Sequence, residues 1–80
     1  MKAIVTIMLK PSILDPQGQA ISMALSNMGY GDINDVRMGK VVEIDFEDGV
    51  SAEDVKKRAS EMAEKLLANP VMETFKVDIV

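Results

Sequence analysis

Residues 35–46 read DVRMGKVVEIDF, and this stretch decides how the chain can fold. With a period of two, one side of it is apolar apart from Lys40, whereas the other side is mostly polar. Alternation of this kind is typical of a β-strand with one buried and one solvated face. The apolar side consists of Val36, Met38, Val42, Ile44 and Phe46.

Gly39 and Lys40 also allow a second interpretation, a two-residue hairpin turn between two short strands. In such a hairpin Val36 would lie opposite Glu43, so apolar and acidic side chains would share one face. A single strand keeps the apolar face continuous, with Gly39 at a bend or bulge. We therefore predict one long central strand over residues 35–46.

The length of this strand predicts self-association. Residues 35–46 would reach about 40 Å at roughly 3.3 Å each. A compact chain of this length has a radius of gyration of about 12 Å and is roughly 30 Å across. One end of the strand should therefore protrude with unpaired backbone groups, and a second copy of the chain is the simplest cover for them.

Two further strands are predicted at the ends of the chain. Residues 2–10 alternate and form one apolar face, which consists of Ala3, Val5, Ile7 and Leu9. Residues 71–80 alternate in the same way around Val77. The second face of the first strand is partly apolar too, which indicates that something also covers that side of the sheet.

Two helices separate these strands. The first is predicted over residues 16–28, because Asp15 is a good N-cap and Pro16 suits the first helical position. The second begins after Ser51 and ends at residues 68–70, where proline prevents continuation. Its predicted buried stripe consists of Val55, Ala59, Met62, Ala63 and Leu66.

Gly18 is unfavourable in the first helix by roughly 1 kcal/mol relative to alanine. Two interpretations are open. Either the first turn frays and tolerates the glycine, or another backbone approaches so closely that a side chain cannot fit.

The order β-α-β-α-β predicts an α+β fold, a two-layer sandwich related to the ferredoxin-like fold. We expect an antiparallel sheet with a long central strand and both helices on one face, completed by dimerisation. Residues 1–80 are too few for a second core, so they are predicted to form a single domain.

The composition excludes several classes of function. The chain has no cysteine and no histidine, which excludes thiol catalysis, a Ser-His-Asp triad and zinc sites built from these residues. A net charge of −4 and only three aromatic residues disfavour nucleic-acid binding. No apolar run approaches the about 18 residues of a membrane span, and the N-terminus does not resemble a signal peptide. We expect a cytoplasmic protein.

Charged residues offer two candidate sites. Asp45, Glu47 and Asp48 could bind Mg²⁺ or Ca²⁺, but their position at a strand end favours a solvated turn, and no metal site is predicted. Arg37 and Lys40 are better candidates for function. Arg37 could make a bidentate contact with an anion or an interface salt bridge, or it could simply be solvated.

The residues alone therefore predict a small acidic α+β module that self-associates and has no catalytic centre. A dimeric regulatory domain that binds a small ligand is an alternative, which saturable binding of an amino acid or nucleotide would favour. A nucleic-acid binder on a similar two-layer fold is a further alternative that the acidic charge disfavours.

Three motifs add a resemblance to a known family. They are ILDPQG at residues 13–18, DVRMGK at residues 35–40 and LLANPV at residues 66–71. In this order and spacing the chain resembles PurS, the small subunit of bacterial and archaeal phosphoribosylformylglycinamidine synthase. The resemblance extends over essentially the whole chain.

The resemblance implies a role in the fourth step of purine biosynthesis, where formylglycinamide ribonucleotide is converted to formylglycinamidine ribonucleotide with ATP and glutamine. It implies that this chain forms a homodimer or a dimer of dimers without catalytic residues or a cofactor, and bridges a glutaminase subunit and a large synthetase subunit that binds ATP and Mg²⁺. Its expected subunit or anion contacts are Asp15, Pro16, Gln17, Gly18, Arg37, Gly39, Lys40, Asn69 and Pro70.

Overall fold

Strands and helices alternate along the chain in the predicted order. The computed structural model describes residues 1–80. The elements are β1 (Lys2–Leu9), α1 (Pro16–Asn27), β2 (Gly39–Asp45), α2 (Ala52–Met62), a π-helical turn (Ala63–Leu67) and β3 (Glu73–Ile79). The α+β class, the β-α-β-α-β order and the antiparallel sheet are confirmed.

The sheet has the strand order β2-β1-β3, so β1 lies in the middle. Ala3, Val5 and Ile7 of β1 are completely buried, as their alternation predicts. The strand expected to be central, β2, is instead an edge strand within one chain. β1 takes the middle because its second face is also partly apolar, whereas Glu43 and Asp45 make the second face of β2 polar.

β2 is a single strand without a hairpin at Gly39, but it is shorter than predicted. It starts at Gly39, opposite Met8, near the end of β1. Residues before Gly39 have no strand beside them, and residues 33–37 make no backbone–backbone hydrogen bond. The prediction that one end of this strand protrudes was wrong, because all of β2 pairs with β1. The chain is elongated for another reason, since residues 10–38 extend beyond the sheet, and its extents are 51 × 25 × 14 Å with a radius of gyration of 16.1 Å.

Only α2 packs on the sheet, against β3 and β1. Both helices were expected on the same face of the sheet. α1 instead makes far fewer contacts with the strands of its own chain than α2 does. The reason is its first turn, where Gly18 lies against the backbone of Val36 in the segment that continues beyond the sheet. α1 ends before Gly29, which has a φ of 101°.

The second helix contributes Val55, Ala59 and Ala63 to the core, as predicted. The prediction that Met62 and Leu66 are buried was wrong, since they are 39% and 83% exposed. In the π-helical turn the N–H of Ala68 donates to the carbonyl oxygen of Ala63 at 2.9 Å. This wider turn brings Ala68 into the core and rotates Leu66 outward.

Neither helix combines the length and the apolar character needed to cross a lipid bilayer.

Candidate functional site: a subunit-contact surface at one end of the sheet

The predicted contact residues come together at one end of the sheet. Because the sheet is antiparallel, the end of β1 lies beside the starts of β2 and β3, with Met8 opposite Gly39 and Leu9 opposite Glu73. The connections at these three points meet there. We call residues 10–18, 33–40 and 69–73 the loop end. It contains all nine predicted contact residues: Asp15, Pro16, Gln17, Gly18, Arg37, Gly39, Lys40, Asn69 and Pro70.

Asp15 joins two of these segments. Its side chain is 4% exposed in relative area. Oδ1 accepts a hydrogen bond from the backbone N–H of Gly18 at 2.8 Å, which is the predicted N-cap of α1. Oδ2 accepts one from the backbone N–H of Met38 at 2.7 Å, immediately before β2. One carboxylate therefore both starts α1 and fixes the entry into β2.

The same hydrogen bonds keep Asp15 charged. The donation from Gly18, and next that from Met38, lowers the pKa of Asp15 below its ordinary value. The nearby positive charge of Arg37 adds to this effect, whereas desolvation by burial opposes it. Since both oxygens are occupied and the charged form is favoured, Asp15 acts as a structural anion and not as a general base.

Arg37 connects the same segments from the other side. Its Nη2 donates to the carbonyl oxygens of Lys10 at 2.9 Å and of Ile13 at 3.1 Å. Arg37 is half-buried, so the interpretation of a merely solvated arginine does not hold. Its expected contact with an anion or a partner stays a prediction.

Gly18 completes the connection between α1 and the segment before β2. A Cβ atom at this position would overlap the carbonyl oxygen of Val36 and lie 3.0 Å from Oδ2 of Asp15. The interpretation of a close backbone approach is therefore confirmed. We call Asp15, Gly18, Val36, Arg37 and Met38 together the latch.

Gly39 and Lys40 differ in their surroundings. A Cβ atom on Gly39 would overlap the side chain of Met8 and lie 2.6 Å from the carbonyl oxygen of Ile7. Gly39 is thus needed for strand packing. The exposed Lys40 lines a shallow depression with Gln17 and Glu73, where a partner could make polar contacts.

The corner at Asn69 and Pro70 is held by its own hydrogen bonds. The Asn69 side-chain oxygen accepts from the N–H of Val71 at 3.0 Å, and the Asn69 N–H donates to Oε1 of Glu73 at 2.7 Å. Pro70 is exposed beside an open depression that Phe75 also lines. These hydrogen bonds fix the backbone of the corner without help from another segment.

The sequence named the nine contact residues, but it predicted neither that they lie at one end of the sheet nor the long-range bonds of the latch. Asp15 was predicted only as a helix cap, and its bond to Met38 was not foreseen. The one signal in the sequence was the unfavourable Gly18, because close backbone contact explains a glycine at that position.

Comparison with known proteins identifies a family whose members resemble almost the whole chain. The model of the PurS family, described as phosphoribosylformylglycinamidine (FGAM) synthase, matches residues 2–80. The chain belongs to the PurS family. It is similar to the phosphoribosylformylglycinamidine synthase subunit PurS of Bacillus subtilis, with 44% identity over 98% of this chain and 90% of that protein. The function expected from the resemblance, a subunit of this synthase in purine biosynthesis, is confirmed.

Solved PurS structures share the fold. PurS of Methanocaldococcus jannaschii has a TM-score of 0.84 at 38% identity, over 96% of this chain and 92% of that one. A chain in the structure of PurLQS from Thermotoga maritima has a TM-score of 0.80 at 25% identity, over 99% of this chain and 95% of that one. The second of these is a chain within a complex.

Acidification is expected to open the latch. Because folding lowers the pKa of Asp15, its contribution to stability is present above the unfolded pKa of about 3.9 and is lost as the pH falls through the lower folded value. Urea unfolding between pH 2 and 7 should therefore depend more steeply on acid pH in the parent than in Asp15→Asn. Asp48→Asn, at an exposed turn, is the matched control and should keep the parent's pH dependence. Identical curves for the parent and Asp15→Asn would contradict this role of Asp15.

Proposed function

We propose that this chain bridges the glutaminase and synthetase subunits of phosphoribosylformylglycinamidine synthase and supports the transfer of ammonia between them. It contributes a contact surface and no catalytic residue or cofactor, while ATP and Mg²⁺ bind the large synthetase subunit. The complex works in the cytoplasm. The structure of PurLQS from Thermotoga maritima, which contains a similar chain, supports this assignment.

The observation that carries the proposal is the excess surface of the chain. Its accessible surface is 5834 Å². A compact monomer of 8.7 kDa would expose about 4,700 Å², or roughly 1,100 Å² less. A standard protein–protein interface covers about 800 Å² on each partner. The chain thus exposes more surface than a compact monomer of its mass, as expected of a protein that buries part of its surface against partners.

A second copy accounts for part of this surface. The outer edge of β2 has no neighbouring strand within the chain, and residues 33–37 have no backbone–backbone hydrogen bond. Pairing of this segment with its copy across a two-fold axis would satisfy those groups. The chain then forms a homodimer or a dimer of dimers, and the loop end contacts the larger subunits.

Reconstitution of the synthase tests the bridging role. Purified glutaminase and synthetase subunits are assayed for formylglycinamidine ribonucleotide with and without this chain, using glutamine or free ammonia as the nitrogen donor. Omission should reduce the glutamine-driven rate by at least about tenfold, because a bridge raises the effective concentration of the two partners. The rate with saturating ammonia should be unchanged, because ammonia does not need transfer between subunits.

Two outcomes would contradict the proposal. Equal glutamine-driven rates with and without the chain would show that it does not bridge the subunits. An equal loss with glutamine and ammonia would assign it to the synthetase reaction itself. Light scattering of the isolated chain tests self-association separately, and a monomer at micromolar concentration would exclude the homodimer.

A further inference from the structure

The outer edge of β3 is a row of unpaired backbone groups. β3 lies at one side of the sheet and pairs only with β1. At the end of this pairing Lys2 and Val80 exchange two backbone hydrogen bonds, of 3.1 and 2.9 Å. Because bonded and non-bonded pairs alternate in an antiparallel ladder, residues 74, 76 and 78 bond to β1, whereas residues 75, 77 and 79 turn their N–H and C=O groups outward. No loop or other strand of the chain bonds to these outward groups.

This edge lacks the features that usually protect a free strand from pairing, such as a bulge, a proline or an unpaired charge. β3 has 7 residues, pairs with β1 in continuous register, and contains neither proline nor glycine. Its one lysine, Lys76, forms an ion pair with Asp78 of the same strand at 3.7 Å. The edge therefore has the regular geometry that pairing with a further strand requires.

A depression beside this edge indicates the charge of the partner. It lies between the end of the second helix and the start of β3 and is lined by Glu64, Ala68, Pro70, Glu73, Thr74 and Phe75. No lysine or arginine lines it, and neither glutamate takes part in an ion pair. Pro70 and Phe75 provide apolar walls for the methylene stem of a lysine or arginine, whose charged end would reach the two carboxylates.

We propose that an extended, basic segment of a larger synthase subunit docks on the free edge of β3. The proposal rests on the bridging function proposed above and adds the chemistry of one contact. The backbone of the segment pairs with the outward groups of residues 75, 77 and 79, as in other cases of strand addition to a sheet edge. One lysine or arginine of the segment enters the depression beside Glu64 and Glu73.

Two observations favour a larger subunit over a second copy of this chain. Pro70 and Glu73 line the depression and also belong to the loop end, so the β3 edge continues the surface proposed to contact the larger subunits. The proposed homodimer already uses the β2 side of the sheet. Pairing of β3 with further copies would extend the sheet from chain to chain unless it closed on itself, whereas a different protein ends the sheet.

Hydrogen exchange of the backbone amides tests the pairing directly. The isotope-labelled chain is exchanged in D₂O, alone and assembled with the unlabelled larger subunits, then quenched, dissolved in an aprotic solvent and analysed by NMR residue by residue. The amides of Phe75, Val77 and Ile79 should exchange at least about tenfold more slowly in the complex, because pairing gives them hydrogen-bond acceptors. The amides of residues 74, 76 and 78 are the internal control, since bonds to β1 protect them in both states.

The outcomes separate this proposal from the bridging function. A complex that assembles and leaves the three outward amides as fast as in the isolated chain would overturn the docking site, while the bridging function would stand. Slow exchange of the same amides in the isolated chain would assign the edge to a second copy and would also overturn the proposal. If no complex forms, the bridging function fails, and the docking site with it.

Charge reversal tests the basic character of the segment. Glu64→Lys should weaken binding to the immobilised larger subunits by at least about tenfold, because it brings like charges together. Glu61→Lys is the matched control, since Glu61 is also exposed near the end of the second helix but does not line the depression, and it should bind like the parent. Circular dichroism verifies that both variants are folded. Equal binding of Glu64→Lys and the parent would overturn the basic contact.

Discussion

Replacing Gly18 by alanine is expected to lower the free energy of unfolding by about 1–3 kcal/mol, although alanine is the better helix former by about 1 kcal/mol. The added Cβ would overlap the carbonyl oxygen of Val36, and a backbone atom cannot move aside as a flexible side chain can. The first turn of α1 and the segment before β2 must then separate, which breaks the bond between Asp15 and Met38. Urea unfolding at one fixed chain concentration measures the change.

Gly31→Ala is the matched control for this substitution. A Cβ atom at Gly31 meets no other atom within 4 Å, and no residue other than Gly29 and Gly49 has a positive φ. Helix propensity alone predicts that Gly18→Ala stabilises the protein, whereas the close approach predicts the opposite sign. A variant as stable as the parent, or more stable, would contradict the contact.

The sequence predicted the strands well, because a period of two reports directly on a buried face. Ala3, Val5 and Ile7 are buried as expected, and Val42 and Ile44 face the core. It could not give the order of the strands. Periodicity shows which side of a strand is apolar, but which strand lies in the middle depends on pairing between distant segments.

The position of α1 could not be predicted from its own amphipathic pattern. An apolar stripe shows that a helix face is to be covered, but not by which chain. Residues 16–27 carry no charge, which is unusual for a helix that faces solvent, yet only Gly18 of α1 is buried within the chain. α2 shows a similar limit, because one π-helical turn moved Leu66 out of the predicted stripe.

The sequence named the residues of the candidate site but predicted neither where they meet nor how they are connected. The three motifs meet because the antiparallel sheet brings their segments to one end. The hydrogen bonds between them depend on atomic distances that spacing along the chain does not determine. Asp15 and Met38, for example, are 23 positions apart in the sequence, yet the backbone N of Met38 lies 2.7 Å from Oδ2 of Asp15.

Replacing Arg37 by alanine is expected to leave the dimer folded and to weaken assembly of the synthase by about tenfold, or 1.4 kcal/mol. The guanidinium group holds the carbonyl oxygens of Lys10 and Ile13, which lie in the segment leading to Asp15. Hydrogen bonds to charged groups contribute about 1.5–3 kcal/mol each, so the loss of both should also lower the free energy of unfolding by about 3 kcal/mol or more. Circular dichroism, urea unfolding and binding to the immobilised larger subunits measure the three effects.

Arg58→Ala provides a control of the same residue type. The chain has two arginines, and Arg58 is exposed on α2 and does not belong to the loop end. Arg58→Ala should change the free energies of assembly and of unfolding by less than about 0.5 kcal/mol each, as most surface substitutions do.

Arg37→Lys separates charge from geometry, because an ammonium group keeps the charge but not the planar arrangement of donors that Arg37 uses. If Arg37→Lys assembles like the parent, positive charge at the surface is sufficient. If it assembles like Arg37→Ala, the loop end depends on the shape that the guanidinium group imposes. Equal assembly of Arg37→Ala and the parent would remove Arg37 from the contact surface altogether.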